Sequence, residues 1–212
     1  TPAILKSGLQ SPAFYRRLWH TVLAGHEFAG VIVNRRKDGG HFHQEMLIRP
    51  LFDDNGRISH FLASGRDVTQ RVAAEERLQR AATHDALTGV PNRAVFAERL
   101  AGLMQRARRE GDRFTAVLVD VNAFKLVNDQ QGHAAGDAVL REVAQRLLHA
   151  VRDGDTVARL GGDEFGLLLA GTGVPASVEQ ALRKLADAFG PPVVLPDGRS
   201  IPVTVSIGAC IR

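Results

Sequence analysis

The run from Phe114 to Val121 constrains this chain more than any other segment. It is apolar and of strand length, the mark of a central strand buried on both faces, and helices must supply that cover. Amphipathic patterns on either side can do so. Arg93 to Arg109 places Val95, Phe96, Leu100, Leu103 and Met104 on one side of a helix. Gly136 to Val151 spaces Val139, Leu140, Val143, Leu147 and Val151 for a second helix. Val157 to Leu160 and Phe165 to Ala170 read as short strands around Gly161-Gly162-Asp163-Glu164, which reads as a hairpin. Ala176 to Phe189 predicts another helix, and Ile201 to Ile207 another strand. From His84 onward the pattern is that of an α/β (α+β) domain, a buried sheet crossed by helices.

The first 69 residues follow a different pattern, a helix and then antiparallel sheet. Pro12 to Leu23 carries a stripe of Phe14, Leu18, Trp19, Val22 and Leu23, closed by Gly25. Phe28 to Asn34, Met46 to Phe52 and Ile58 to Gly65 read as strands, with turns at Lys37-Asp38-Gly39-Gly40 and Asp53-Asp54-Asn55-Gly56. One helix and three strands make a small core, so part of this module is expected upstream. Asp67 or Thr69 can cap a polar helix running to about Ala82, whose stripe of Val68, Val72, Leu78 and Ala82 is weak. Such a helix is a solvated connector or one half of a short coiled coil. The expected organisation is therefore a first module at 1–69, a linker helix at 70–83 and a second domain at 84–212.

Composition sets limits on function. The longest stretch free of charged side chains, Phe165 to Val178, has 14 residues with three Gly and a Pro, too short and broken to span a bilayer. The single cysteine, Cys210, excludes an intramolecular disulfide framework and suits a reducing, cytoplasmic compartment. The net charge of +4 invites a nucleic-acid reading, but residues 1–80 hold 12 basic and 8 acidic groups while residues 81–212 hold 15 of each. The Arg106, Arg108 and Arg109 cluster is more simply a solvated helix C-terminus, favoured there by the helix dipole. No nucleic-acid partner is expected.

Three acids stand where a buried core does not explain them. Asp120 ends the most apolar strand; Asp163 and Glu164 sit at the hairpin tip behind two glycines, which weaken a strand unless something approaches the backbone closely. Like charges about 4 Å apart repel by roughly 4 kcal/mol at an effective dielectric near 20, so such a cluster calls for a cation. Hard oxygen ligands suit Mg²⁺ or Mn²⁺, with substrate phosphates completing the shell. That chemistry is metal-assisted phosphoryl or nucleotidyl transfer. The competing reading is a hairpin whose acids face water. No GxxxxGK[ST] loop or dinucleotide fingerprint is present. Asn128 and Asp137 follow Asp120 and could together read a guanine edge, although both types are also common in turns.

These residues resemble a known family. Arg159-Leu160-Gly161-Gly162-Asp163-Glu164-Phe165 matches the GGDEF signature of bacterial diguanylate cyclases, which make cyclic di-GMP. His84-Asp85-Ala86-Leu87-Thr88-Gly89-Val90-Pro91-Asn92-Arg93 resembles the DxLTGLPNR opening of that domain. Asp120-Val121-Asn122-Ala123-Phe124-Lys125, Asn128-Asp129, Gly132-His133 and Gly136-Asp137 resemble its DxDxFKxxND…GHxxGD segment, and Ser206-Ile207-Gly208 its late SIG strand. Asn122 departs from the second Asp of many members. The resemblance covers 84–212 and implies a palm-like, nucleotidyl-cyclase-like fold.

It also implies roles. Asp120 and Asp163 would ligate two divalent cations per site, Mg²⁺ or Mn²⁺, assisted by the Val121 carbonyl. Glu164 would ligate metal and help activate a ribose 3′-hydroxyl. Gly161 and Gly162 would leave room for phosphates, Phe124 and Lys125 would hold the GTP triphosphate, and Asn128 and Asp137 would bind guanine. Catalysis would need a homodimer, with one GTP on each protomer. Arg152-Asp153-Gly154-Asp155 matches the RxxD inhibitory site, where Arg152 and Asp155 would bind product cyclic di-GMP. Residues 84–212 lack the family's last helix, whose basic residues contact the triphosphate, and further domains could lie beyond both ends. The alternative is a silent GGDEF module that binds GTP or cyclic di-GMP and regulates an attached EAL phosphodiesterase domain.

Residues 1–69 resemble the C-terminal part of a PAS sensor of the S-box type. Leu5-Lys6-Ser7-Gly8, Phe14-Tyr15, Leu18-Trp19, Asn34-Arg35-Arg36-Lys37-Asp38-Gly39 and Gly65-Arg66-Asp67-Val68-Thr69 carry that likeness. No PAS ligand is identified from it. His41 and His43 alternate on one strand face as candidate ligands, though exposed strand histidines are commonly just solvated.

Overall fold

The structure is a computed structural model and describes residues 5–212. It divides into two units, one up to Leu78 and one of Gln79–Arg212; residues 1–4 of the sensor-like segment lie outside the described residues.

In the first unit, helix α1 (Pro12–Leu23) starts where Ser11 accepts the Phe14 N–H at 3.2 Å, with Pro12 in the first turn. Its Leu18 and Val22 are buried against Phe28 and Ile32, and Phe14, Met46 and Ile48 pack around them. Strands β1 (Phe28–Arg35), β2 (His41–Phe52) and β3 (Ile58–Asp67) form one antiparallel sheet in that order. β2 starts five residues before the apolar pattern does. Its first residues pair with β1 through backbone bonds, which need no apolar side chain. Asp67 ends β3 and caps helix α2 (Thr69–Thr83), accepting the Thr69 N–H at 2.9 Å and hydroxyl at 2.6 Å. With Arg36 at 2.5 Å, these bonds lower the Asp67 carboxyl to about 2. No residue of α2 is buried, in keeping with its weak stripe.

The second unit contains helix α3 (Arg93–Glu110), strand β4 (Phe114–Val121), helices α4 (Phe124–Gln131) and α5 (His133–Ala150), strands β5 (Thr156–Gly161) and β6 (Glu164–Ala170), and helix α6 (Pro175–Asp187). Two short strands, β7 (Val193–Val194) and β8 (Ser200–Ile201), pair with each other, and β9 (Val205–Ile211) completes the main sheet. That sheet runs β5-β6-β4-β9, antiparallel throughout. On one face Val117, Val119, Val121, Phe165, Leu167 and Leu169 join Val139, Val143 and Leu147 of α5 in the main core. Full burial of each such side chain contributes about 1.5–3 kcal/mol. On the other face Phe96 and Leu103 of α3 cover Phe114, Ala158 and Leu168. The Phe96 ring lies over Gly166, where a Cβ would sit only 2.7 Å from it.

Three sequence expectations change. β4 is central, but only its Val117–Val119–Val121 side is fully covered; on the other side Leu118 is 58% exposed and Asp120 is exposed. The polar stretch after β4 forms α4, whose Phe124 and Val127 pack against the main core. The strand expected over 201–207 is broken, because Pro202 has no N–H for a ladder and β9 begins only at Val205.

Candidate active site

β4 carries Asp120 to the end of the sheet, between buried Val119 and Val121. Its register partner on β6 is Glu164. Directly opposed residues of antiparallel strands put their side chains on the same face, so the two carboxylates emerge together. Asp163 is one residue away in the turn, and its carbonyl accepts the Val121 N–H at 3.3 Å, tying the hairpin tip to the end of β4. On the other flank Asp120 pairs with Ser206. There Asn122 joins β4 to β9: its N–H donates to the Thr204 carbonyl at 3.0 Å, its Nδ2 to Thr204 Oγ1 at 3.0 Å, and its Oδ1 accepts the Ser206 hydroxyl at 2.7 Å. Ala123 follows with φ 55, the one non-glycine in the left-handed region among the described residues. Such strain gathers at functional sites.

The tip itself is a two-residue turn, Gly162-Asp163, between the paired Gly161 and Glu164. Gly161 has φ +150 and Gly162 φ +53, and an added Cβ at either would meet nothing within 4 Å. In this structure the glycines are required by backbone conformation, since side chains rarely adopt these angles.

The resemblance proposed a metal here. Among the described residues no three His, Cys, Asp or Glu side chains converge as a ready-made cage. The donor set still fits a hard divalent cation. Asp120 and Glu164 share a face, and none of Asp120, Asp163 or Glu164 forms an ion pair among the described residues. Mg²⁺ typically uses one or two carboxylates and fills its shell with water and phosphate oxygens.

The other candidates fall on separate elements. Phe124, Lys125 and Asn128 lie on α4 and Asp137 on α5. Gly136 lets those helices close, for a Cβ there would stand 2.0 Å from Asn128 Oδ1 and 3.2 Å from the Phe124 ring. Asp137 lies 3.7 Å from Arg141 one turn on. Arg152 and Asp155 are brought together in the turn before β5. The buried Asp155 carboxylate accepts the Ala170 N–H at 3.1 Å and the Arg152 N–H at 3.2 Å. The Arg152 guanidinium donates to the Ala170 carbonyl and lies 3.4 Å from Thr172 Oγ1. A cavity of about 260 Å³ beside them is lined by Thr172, Ser177, Gln180 and Lys184. In the first unit His41 and His43 both lie on β2, and His43 Nδ1 is buried without a hydrogen-bond partner.

Two residues inside the quoted motifs carry contacts that the pattern does not announce. Arg159 donates to both Asp85 oxygens, at 3.1 and 3.2 Å, and to the Gly162 carbonyl at 2.9 and 2.6 Å. An arginine alternating into a glycine hairpin, and an acid opening the Asp85-Ala86-Leu87-Thr88 turn, were the available signals.

Comparison with known proteins settles the family. A model described as the diguanylate cyclase, GGDEF domain, matches residues 82–212. The chain belongs to the GGDEF family. A PAS-fold model matches residues 5–73, so a PAS segment precedes the GGDEF domain. The chain is 42% identical over 138 residues to the probable diguanylate cyclase DgcE of Escherichia coli, covering 65% of this chain and 12% of that protein. It thus spans about an eighth of that relative's length. The GGDEF domain of TpbB from Pseudomonas aeruginosa superposes with a TM-score of 0.58 at 38% identity, over 60% of this chain and 74% of that one. The coiled coil and GGDEF domain of DgcB from Caulobacter crescentus, solved with c-di-GMP, gives a TM-score of 0.61 at 26% identity, over 68% of this chain and 77% of that one. No helix among the described residues is long and apolar enough to cross a membrane.

Proposed function

We propose that this chain is the sensor–catalytic segment of a cytoplasmic diguanylate cyclase, with a PAS part at 1–69, a signalling helix at 70–83 and the GGDEF domain at 84–212. The observation that carries the reading is the opposed pair Asp120 and Glu164 beside a glycine hairpin tip, with neither acid in an ion pair among the described residues. Asp120, Asp163 and Glu164, with the Val121 carbonyl, would hold Mg²⁺ or Mn²⁺, which supplies charge neutralisation at the phosphates. Asn128 and Asp137 would orient guanine, while Phe124, Lys125, Gly161 and Gly162 would border the triphosphate. Two GTP-loaded protomers face each other as a homodimer. Each ribose 3′-oxygen loses its proton, attacks the partner's α-phosphorus and displaces pyrophosphate, so two GTP give one cyclic di-GMP and two pyrophosphates. The rate gain then rests on positioning and preorganised charge. Arg152 and Asp155 would bind product and inhibit.

The test is turnover of GTP with Mg²⁺ by the wild type and by Glu164→Gln. The reading expects cyclic di-GMP from the wild type and none from a folded Glu164→Gln. Turnover retained in the variant removes Glu164 from the mechanism. Nucleotide binding without turnover by the wild type supports the silent regulatory module instead.

A further inference from the structure

The geometry points to Arg159 as a positioning residue that fixes the hairpin tip, with Asp85 as the group that aims it. This rests on the cyclase reading above. The tip needs a fixing element. Gly161 and Gly162 occupy positive φ, and the register of the β5–β6 hairpin shifts between Arg159 and Gly161. Glycines confer freedom on the segment that presents Asp163, so its path must be set by contacts from outside.

Arg159 supplies those contacts. Its Nε and Nη2 both donate to the Gly162 carbonyl, the peptide oxygen immediately before Asp163. Its side chain is only 14% exposed, so little water competes with these bonds. The guanidinium is planar and forked, and its remaining nitrogen is taken by both oxygens of Asp85. Asp85 is itself held, accepting the Thr88 N–H at 2.9 Å and the Thr88 hydroxyl at 2.7 Å.

The turn that carries Asp85 is anchored at both ends. The Arg159 N–H donates to the Pro91 carbonyl at 2.9 Å. The Asn92 N–H donates to the Thr83 carbonyl at 3.0 Å and its Nδ2 to the Ala82 carbonyl at 2.9 Å. Hydrogen bonds therefore run without a gap from the last turn of α2, through the 84–92 turn, to the peptide that orients Asp163. The Asp163 carbonyl then receives the Val121 N–H, which links the next peptide, on the other side of the Asp163 Cα, to the strand of Asp120. Arg159 touches no reacting atom; it acts through Gly162. A shift of about 1 Å in a positioned group can cost roughly 100-fold in rate, so the arrangement is set for effects on turnover.

The experiment compares the wild type with Arg159→Lys, Asp85→Asn and the double variant. Lysine keeps the charge but cannot fork between Gly162 and Asp85. The expected result is a fall in kcat of about 10- to 100-fold for Arg159→Lys, with KM for GTP changed less than about threefold. Asp85→Asn is expected to lower kcat less, and the double variant to be no worse than Arg159→Lys, because both act through one carbonyl. Hydrogen–deuterium exchange of the segment 160–164 gives a readout independent of turnover and is expected to quicken in Arg159→Lys. Unchanged exchange with unchanged kcat, or a kcat loss matched by global unfolding, overturns the positioning role. A wild type without turnover overturns the cyclase reading, while the exchange comparison still decides whether Arg159 fixes the tip.

Discussion

Asp120 and Glu164 stand directly opposite each other on adjacent antiparallel strands, two carboxylates on one sheet face, and neither forms an ion pair among the described residues. Like charges in that relation destabilise by about 0.2–1 kcal/mol. Glu164→Gln should therefore slightly raise the unfolding midpoint of the metal-free protein. Mg²⁺ or Mn²⁺ should raise the wild-type midpoint and leave that of the variant nearly unmoved. Thermal unfolding with and without each ion checks both, and an equal ion effect on the two proteins would remove this pair from the metal site.

Gly136 has a different use from the hairpin glycines. Alanine would normally strengthen a helix interior by about 1 kcal/mol over glycine. Here its Cβ would fall 2.0 Å from Asn128 Oδ1, so the asparagine must move. Gly136→Ala is expected to raise KM for GTP by about tenfold, the value of one hydrogen bond to the base, with a smaller effect on kcat. Steady-state kinetics read this directly; an unchanged KM would take Asn128 out of guanine binding.

What the sequence reveals follows from how local each signal is. Val139, Val143 and Leu147 announce α5 because one face of a helix must bury all three, and the run 114–121 announces β4 for a similar reason. Helix α4 is hidden because eight residues give little more than two turns of periodicity and it starts from the left-handed Ala123. The break before β9 turns on one missing N–H at Pro202. The carboxylates were legible from motif and chain order. The Asp85–Arg159 pair was not, since its partners are 74 residues apart and no periodicity links them.

Asp85 also sets a pH dependence. Burial works to raise its pKa, but the hydroxyl and amide of Thr88 and the Arg159 guanidinium outweigh that and hold it below the ordinary 3.8. A depressed carboxyl stabilises the fold above its unfolded value, and that contribution is lost as pH falls through the lower folded value. Asp85→Asn should thus be less stable than wild type at neutral pH and converge with it well below pH 3.8. Unfolding midpoints across the acid range test this; a gap constant with pH would assign the loss to packing.

Arg152 serves two ends at once, for its guanidinium holds the Ala170 carbonyl and stands beside Asp155. Arg152→Ala should relieve inhibition by added cyclic di-GMP and lower the unfolding midpoint modestly, on the order of 1 kcal/mol for one lost bond. Initial rates against product concentration decide the first part, and unchanged inhibition removes the site.

The two glycines of the tip lie in open space yet at angles that other residues avoid. The segment is therefore roomy but brittle. A ligand can come up against it from outside without displacing any side chain, whereas almost any mutation would redraw the path of the backbone itself. Drift in sequence at these two positions is checked by the geometry of the main chain before any question of chemistry arises.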